Sequence, residues 1–217
     1  MNRHLTELVF ILDRSGSMSG LEQDTIGGFN AMLKRQQREE GEALVSTVLF
    51  DDYSKVLHNR VHINQVEPMT EREYQIGSCT ALLDALGGAI HHIARIHRQL
   101  PEKERPGKTV FVITTDGMEN SSRQYSVKKV RQMVRHEQEK YGWEFLFLGA
   151  NMDAIATAAQ YGIREDRAVR YQCDSKGTAL NFAAVSMAMG SIRRGEELDR
   201  SWKADIEEDY RKRGEKR

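Results

Sequence analysis

Carboxylate and hydroxyl side chains cluster where two apolar runs of this sequence end. Asp13, Ser15 and Ser17 occupy alternate positions directly after the apolar run 8–12, and Asp116 follows a second such run further along the chain. In an open parallel sheet, ligands bind in the crevice beyond the carboxyl ends of the strands. If both runs are strands of such a sheet, their oxygen-bearing side chains emerge at the same edge.

Oxygens of this kind are the ligands of hard divalent cations such as Mg²⁺, which prefer an octahedron of oxygens and lose their waters reluctantly. An oxygen at every second residue of a turn lets the side chains point inward together, and Gly16 lets the backbone turn tightly between them. Two carboxylates leave a doubly charged cation close to neutral, so it still attracts one further anionic oxygen. We therefore predict a site for Mg²⁺, which Mn²⁺ or Ca²⁺ can also occupy.

The elements that must position these residues alternate between apolar runs and helical patterns, as in a mostly parallel sheet with covering helices. We predict six strands, at residues 8–12, 43–50, 55–63, 110–114, 144–148 and 168–171. The third follows the second too soon for a parallel crossover, so it is antiparallel and assigned to an edge. The predicted fold class is α/β, with a Rossmann-like, doubly wound, mostly parallel six-stranded sheet and helices on both faces.

The helices are predicted from their apolar stripes and capping residues. A capping box from Ser19 to Glu22 opens the first helix, which runs to about Gln37. The others lie at about 81–100, from Ser126, at 153–161 and at 178–192. The second contains Gly87 and Gly88, which cost about 1 kcal/mol each relative to Ala, and we interpret them as a close approach of the helix to the sheet.

The residues at the predicted sheet edge resemble the metal-ion-dependent adhesion site (MIDAS) of von Willebrand factor A (VWA) domains. The motif Asp13-x-Ser15-x-Ser17 follows an apolar strand, the segment 77–86 resembles the threonine segment of the family, and the segment 114–117 resembles its aspartate segment. The resemblance covers roughly residues 7–192. It implies that Ser15, Ser17 and Thr80 supply hydroxyls to the metal, and that Asp13 and Asp116 act directly or through bound water.

The resemblance also implies a function. The open coordination position takes a Glu or Asp carboxylate from a partner protein, so we predict a metal-dependent protein-binding module and no enzyme. The chain is most similar to small stand-alone intracellular members of the family, which often work beside ATPases or in multi-protein assemblies. We expect the partner-binding rim to include Met18, Tyr53, Glu119 and Asn120, which lie near the predicted metal.

Two alternative functions stay open. In a metal-dependent phosphotransferase or phosphatase, Asp13 would be the nucleophile, but such enzymes generally need a second carboxylate two residues on, where this chain has Ser15. In a scaffold, the metal only steadies the loops.

Other residues are also candidates for a site. Asp51 and Asp52 are interpreted as a solvated hairpin tip, with a second cation site as the alternative. Cys79, beside Thr80, is interpreted as a small buried neighbour of the metal, with a redox switch as the alternative. His91, His92 and His97 lack the spacing of the zinc-protease signature, so no zinc site is predicted there.

The composition limits the class of partner. The chain of 217 residues carries 32 basic and 32 acidic side chains, and a net charge of zero argues against nucleic acid and against a polybasic membrane surface. The two cysteines are interpreted as reduced thiols, and the first apolar run is too short for a signal peptide or a membrane span. We therefore predict a cytoplasmic protein with one domain over residues 5–193 and a charged, solvated helix or frayed tail over residues 194–217.

Overall fold

A computed structural model of the chain describes residues 1–150 and 153–214. Its sheet has six strands in the order β3-β2-β1-β4-β5-β6. The strands are β1 (Asn2–Asp13), β2 (Glu42–Phe50), β3 (Ser54–His62), β4 (Pro106–Thr115), β5 (Glu144–Gly149) and β6 (Ala168–Arg170). The main helices are α1 (Glu22–Gln36), α2 (Leu82–Gln99), α3 (Val127–Tyr141), α4 (Ala154–Gln160), α5 (Ser175–Arg194) and α6 (Ala204–Gly214).

The predicted fold class is confirmed. Strand β3 pairs antiparallel with β2 at one edge of the sheet, and every other pairing between neighbouring strands is parallel. Strand β1 lies between β2 and β4, so the strand order reverses between β1 and β4. Crevices form at such a reversal, beyond the carboxyl ends of the two strands. The ends of β1 and β4, at Asp13 and Thr115, therefore border the expected binding edge.

Strand β1 shows why its sequence is continuously apolar. Leu8, Phe10 and Leu12 pack into the core beneath α1, α5 and α6, whereas Val9 and Ile11 pack into the core beneath α2, α3 and α4. Successive side chains of a strand point to opposite faces of the sheet. Because helices cover both faces, all five side chains are fully buried.

The starts of two helices differ from the prediction. Helix α1 begins at Glu22 with Leu21 as its N-cap, and Ser19 belongs to the preceding 3₁₀ turn, where its N–H donates to the carbonyl of Gly16. The predicted capping box is therefore wrong, because Leu21 is the N-cap of α1 and Ser19 ends the preceding 3₁₀ turn. Helix α5 begins three residues before the predicted Thr178, because the side chain of Asp174 accepts the N–H of Gly177 and caps the helix.

The interpretation of the two adjacent glycines in α2 is also wrong. A methyl group on Gly87 would lie 2.4 Å from Cδ1 of Tyr125, which precedes α3, so the close approach is to that ring and not to the sheet. A methyl group on Gly88 would have no described neighbour within 4 Å. Gly87 therefore makes room for Tyr125, and nothing in the structure explains Gly88.

The C-terminal segment is a helix, but it is not simply solvated. Trp202 and Ile206 are buried in the same core as α1 and α5, and the indole N–H of Trp202 donates to the carbonyl of Asp166. The ammonium of Lys203 donates to the carbonyl of Ala168, so this segment lies against β6. With Leu198, three apolar residues are buried within the described part of this highly charged stretch, a pattern too sparse to predict docking. Residues 215–217 of the predicted tail lie outside the described residues.

None of the helices within residues 1–150 and 153–214 has the length and apolar character needed to cross a membrane.

Candidate metal centre

Three connections meet at the carboxyl edge of β1 and β4. The loop after β1 carries the motif residues Asp13, Ser15 and Ser17, the segment before α2 carries Thr80, and the loop after β4 carries Asp116. The first two connections are joined by the N–H of Gly16, which donates to the carbonyl of Ser78, and by the N–H of Gly77, which donates to the carbonyl of Arg14. Segments far apart in the chain therefore form one continuous edge of the molecule.

Four of the predicted ligands lie close together, namely Ser15, Ser17, Thr80 and Asp116. The hydroxyl of Ser17 donates to Oδ1 of Asp116 at 2.6 Å and lies 3.2 Å from Oγ of Ser15. A methyl group on Gly117 would lie 2.9 Å from Oγ1 of Thr80, 3.4 Å from Oγ of Ser17 and 3.7 Å from Oγ of Ser15. Since Gly117 has no side chain, the three hydroxyls face an open space, which we call the cradle.

The fifth predicted ligand, Asp13, is almost fully buried. One carboxylate oxygen accepts the N–H of Ser15 at 2.7 Å, and the other accepts the hydroxyl of Thr115 at 2.5 Å. Burial raises the pKa of Asp13 to about 6, although the hydrogen bonds from Ser15 and Thr115 work in the opposite direction. The negative charge of Asp116 raises this pKa further. A cation in the cradle would offset both carboxylates.

The donor chemistry of the cradle fits a hard cation. In the described part of the chain, no three His, Cys, Asp or Glu side chains converge as a metal-binding group. The predicted ligands at the cradle are instead three hydroxyls and two carboxylates, and oxygen donors of this kind suit Mg²⁺, Ca²⁺ or Mn²⁺. The histidines of α2 have other contacts, because His92 bonds to Asn59 and His97 to Glu7.

Two residues that the sequence did not indicate contact the predicted aspartate ligands, one at the main chain of Asp13 and one at the carboxylate of Asp116. The phenol of Tyr74 donates to the main-chain carbonyl of Asp13 at 2.5 Å, and Sγ of Cys173 lies 3.5 Å from Oδ2 of Asp116. Cys173 follows β6, whose carboxyl end lies at the same edge, so the rule applied to β1 and β4 would have found it. Tyr74 lies in a connection without periodic pattern, and no sequence signal marks it.

The four expected rim residues have different environments. Tyr53 is 79% exposed, but Met18 is only 5% exposed and packs inward, so the structure does not support a surface role for Met18. Oδ1 of Asn120 accepts the N–H of Thr80 at 2.9 Å, and the N–H of Asn120 donates to the carbonyl of Thr80. Glu119 accepts the N–H of Leu83 at 2.8 Å. Both side chains tie the loop after β4 to the start of α2.

The hairpin between β2 and β3 is more ordered than a solvated tip. Asp51 is buried and pairs with Arg14 at 2.9 Å. Asp52 accepts the hydroxyl of Ser78 at 2.8 Å and the N–H of Cys79 at 2.9 Å. The two carboxylates thus have separate partners, and the thiol of Cys79 is exposed instead of buried.

Comparisons with known proteins show the fold. No protein-family model matches the sequence, and no curated protein matches it. Proximal thread matrix protein 1 from the mussel byssus, solved with a zinc-occupied MIDAS motif, is 17% identical, with a TM-score of 0.59 over 85% of this chain and 46% of that chain. This chain thus spans about half the length of the mussel protein.

Two bacterial structures are similar over nearly their whole length. The vWF domain of the type V pili tip protein Mfa5 from Porphyromonas gingivalis is 10% identical, with a TM-score of 0.60 over 89% of this chain and 96% of that chain. The conserved hypothetical protein BatB from Bacteroides thetaiotaomicron is 14% identical, with a TM-score of 0.52 over 87% of this chain and 99% of that chain. The chain therefore has a VWA fold.

Proposed function

We propose that this chain is a metal-dependent protein-binding module. A divalent cation, Mg²⁺ before Mn²⁺ or Ca²⁺, is held by the hydroxyls of Ser15, Ser17 and Thr80 and, directly or through bound water, by the carboxylates of Asp13 and Asp116. Its open position takes a Glu or Asp carboxylate from a partner protein. The proposed setting is the cytoplasm, where the module works in a multi-protein assembly, with an ATPase-containing assembly as one such setting.

The observation that carries the proposal is the convergence of donors from three connections on a space kept open by Gly117. Ser17 and Asp116 are 99 positions apart in sequence, yet their side chains are hydrogen-bonded. The mussel protein with its zinc-occupied MIDAS motif has the same fold. Two carboxylates balance the 2+ charge of the cation, so the centre can still take one further anionic oxygen, here a carboxylate of the partner.

A nucleophilic role for Asp13 has little geometric support. Both of its carboxylate oxygens already accept hydrogen bonds, from Ser15 and Thr115, and the side chain is buried. A nucleophile needs an exposed oxygen and a nearby acid or base. The VWA-fold proteins similar to this chain include a matrix protein and a pilus tip protein, which is consistent with a non-enzymatic role.

The scaffold alternative has one observation in its favour. The bond from Ser17 to Asp116 and the contact of Asp116 with Cys173 join the loops through protein atoms alone. In a scaffold, the cation would add stability without contacting the partner.

One titration series separates these functions. We would measure binding of Mg²⁺ and Mn²⁺ to the full chain by calorimetry, and then binding of acetate and of blocked Glu peptides in the presence of metal and in EDTA. The proposal requires carboxylate binding that depends on metal and is lost in Ser17→Ala. Metal binding without any carboxylate binding would support the scaffold, and turnover of an aryl phosphate that is lost in Asp13→Asn would support the phosphatase.

A further inference from the structure

Two large apolar side chains are exposed on the loops that border the cradle. Met118, which directly follows Gly117, is 72% exposed, and Tyr53 is 79% exposed. Each costs solvation free energy in a module that works alone, because apolar area exposed to water is unfavourable. Single exposed apolar residues are common on protein surfaces, and these two are distinguished by their position beside the cradle.

Both residues are tied to the Thr80 segment. On one side, the N–H of Asn120, two residues after Met118, donates to the carbonyl of Thr80. On the other side, Asp52, which precedes Tyr53, accepts the N–H of Cys79, the residue before Thr80. Tyr53 and Cys79 also border a common surface depression of about 200 Å³. The loop of Met118 is therefore hydrogen-bonded to the predicted ligand Thr80, and the loop of Tyr53 is hydrogen-bonded to the residue before it.

The cradle alone offers little selectivity. A carboxylate bound to a cation has the same chemistry in every Asp and Glu, so discrimination between partners depends on contacts made beside it. A partner segment that brings a carboxylate to the cradle would pass these two loops, so Met118 and Tyr53 would be exposed apolar groups available to the side chains beside that carboxylate. Tyrosine and methionine are enriched in the cores of protein interfaces, where they contact apolar groups.

We infer that Met118 and Tyr53 form an apolar rim that selects a partner segment in which the Asp or Glu is flanked by large apolar residues. This inference rests on the proposed function, because it assumes that a carboxylate reaches the cradle. It adds Met118 to the expected rim and assigns it a specificity role. Glu119 and Asn120 then position the loops beneath the rim instead of contacting the partner.

The test uses three blocked peptides with the full chain in Mn²⁺. Gly-Leu-Glu-Leu-Gly carries the proposed pattern, Gly-Gly-Glu-Gly-Gly lacks the apolar neighbours, and Gly-Leu-Gln-Leu-Gly lacks the charge. Dissociation constants are measured by NMR titration for the natural chain and for Met118→Ala, Tyr53→Ala and Met187→Ala. Met187 is a matched control, because it is 57% exposed but lies on α5 beside the segment 196–199. Folding is checked by thermal unfolding.

We expect the leucine-flanked Glu peptide to bind roughly tenfold more tightly than the glycine-flanked one. That preference should fall severalfold in Met118→Ala and in Tyr53→Ala, and persist in Met187→Ala. Equal binding of both Glu peptides, unchanged in the rim variants, overturns this inference and leaves the proposed function intact. Equal binding of the Gln and Glu peptides shows that the carboxylate does not contribute to binding, and it overturns the proposed function together with this inference. Failure of both Glu peptides to bind metal-loaded protein overturns the proposed function itself.

Discussion

The thiol of Cys173 lies 3.5 Å from Oδ2 of Asp116, whose other oxygen accepts the hydroxyl of Ser17 at 2.6 Å. Each oxygen of the Asp116 carboxylate therefore has its own donor, the hydroxyl of Ser17 for one and the thiol of Cys173 for the other. The acidity of the thiol itself is low, since burial and the negative charge of Asp116 raise the pKa of Cys173 to about 12. Cys173 thus remains a hydrogen-bond donor at neutral pH.

Replacing Cys173 is expected to change metal affinity through the orientation of Asp116. Cys173→Ala removes the donor and should weaken Mn²⁺ binding by roughly tenfold, the lower end of the range for such supporting contacts. Cys173→Ser keeps a donor and should bind Mn²⁺ nearly as tightly as the natural chain. Calorimetric titration of the two variants measures this difference. Equal affinities of the Ala and Ser variants would show that the thiol contact does not orient Asp116.

Filling the cradle is expected to weaken metal binding without unfolding the chain. In Gly117→Ala, the new methyl group would lie 2.9 Å from Oγ1 of Thr80 and occupy the space between the hydroxyls. We expect the Mn²⁺ dissociation constant to rise more than about tenfold, measured by calorimetry. Gly27→Ala is the matched control, since a methyl group there has no described neighbour within 4 Å. Unchanged Mn²⁺ affinity in Gly117→Ala would place the metal elsewhere.

Loss of the Asn120 side chain is expected to loosen the Thr80 segment. Oδ1 of Asn120 accepts the N–H of Thr80, so Asn120→Ala leaves that amide without its partner and should reduce the free energy of unfolding by about 1–2 kcal/mol. Hydrogen exchange at the amide of Thr80 should accelerate in the same variant. Asn120→Asp retains the accepting oxygen and should protect the amide. Exchange at Thr80 that is equally slow in Asn120→Ala would argue against this positioning role.

The adjacent glycines of α2 are expected to respond in opposite directions to the same substitution. Gly88→Ala should stabilise the chain by about 1 kcal/mol, because alanine favours the helix and the added methyl group meets no described atom. Gly87→Ala should destabilise it, because its methyl group would lie 2.4 Å from the ring of Tyr125. Urea denaturation of both variants provides the comparison. A destabilised Gly88→Ala would indicate that its space is needed by the protein.

The stability of the chain should decrease as His58 becomes protonated. Burial lowers the pKa of His58 below its usual value of 6.5. As the pH falls, the unfolded chain therefore binds this proton at a higher pH than the folded chain does. The stabilising contribution of neutral His58 to the free energy of unfolding is complete above about pH 6.5, and it is lost as the pH falls through the lower pKa of the folded chain. His58→Gln should show a smaller loss in free energy of unfolding between pH 7.5 and pH 5.5 than the natural chain. Identical slopes for the two proteins would exclude His58 as the source.

The fold follows from features that can be read along the chain. The run 8–12 is apolar at every position because β1 is covered on both faces, and the short turn after β2 requires β3 to be antiparallel. The same reasoning places Asp13 and Asp116 at one edge, since the carboxyl ends of parallel strands lie together. That these residues bind a metal stays a prediction.

Strand-end reasoning can place Cys173 at the binding edge, but only the tertiary structure decided that it contacts Asp116 and that Asn120 contacts Thr80. Cys173 and Asp116 are 57 positions apart, and Thr80 and Asn120 are 40 positions apart, so their contacts depend on how irregular loops meet across the sheet edge. Periodicity predicts which face of a strand or helix is buried, because regular elements repeat their geometry. Loops have no such repeat, and their side chains adopt whichever positions satisfy the hydrogen bonds of neighbouring segments.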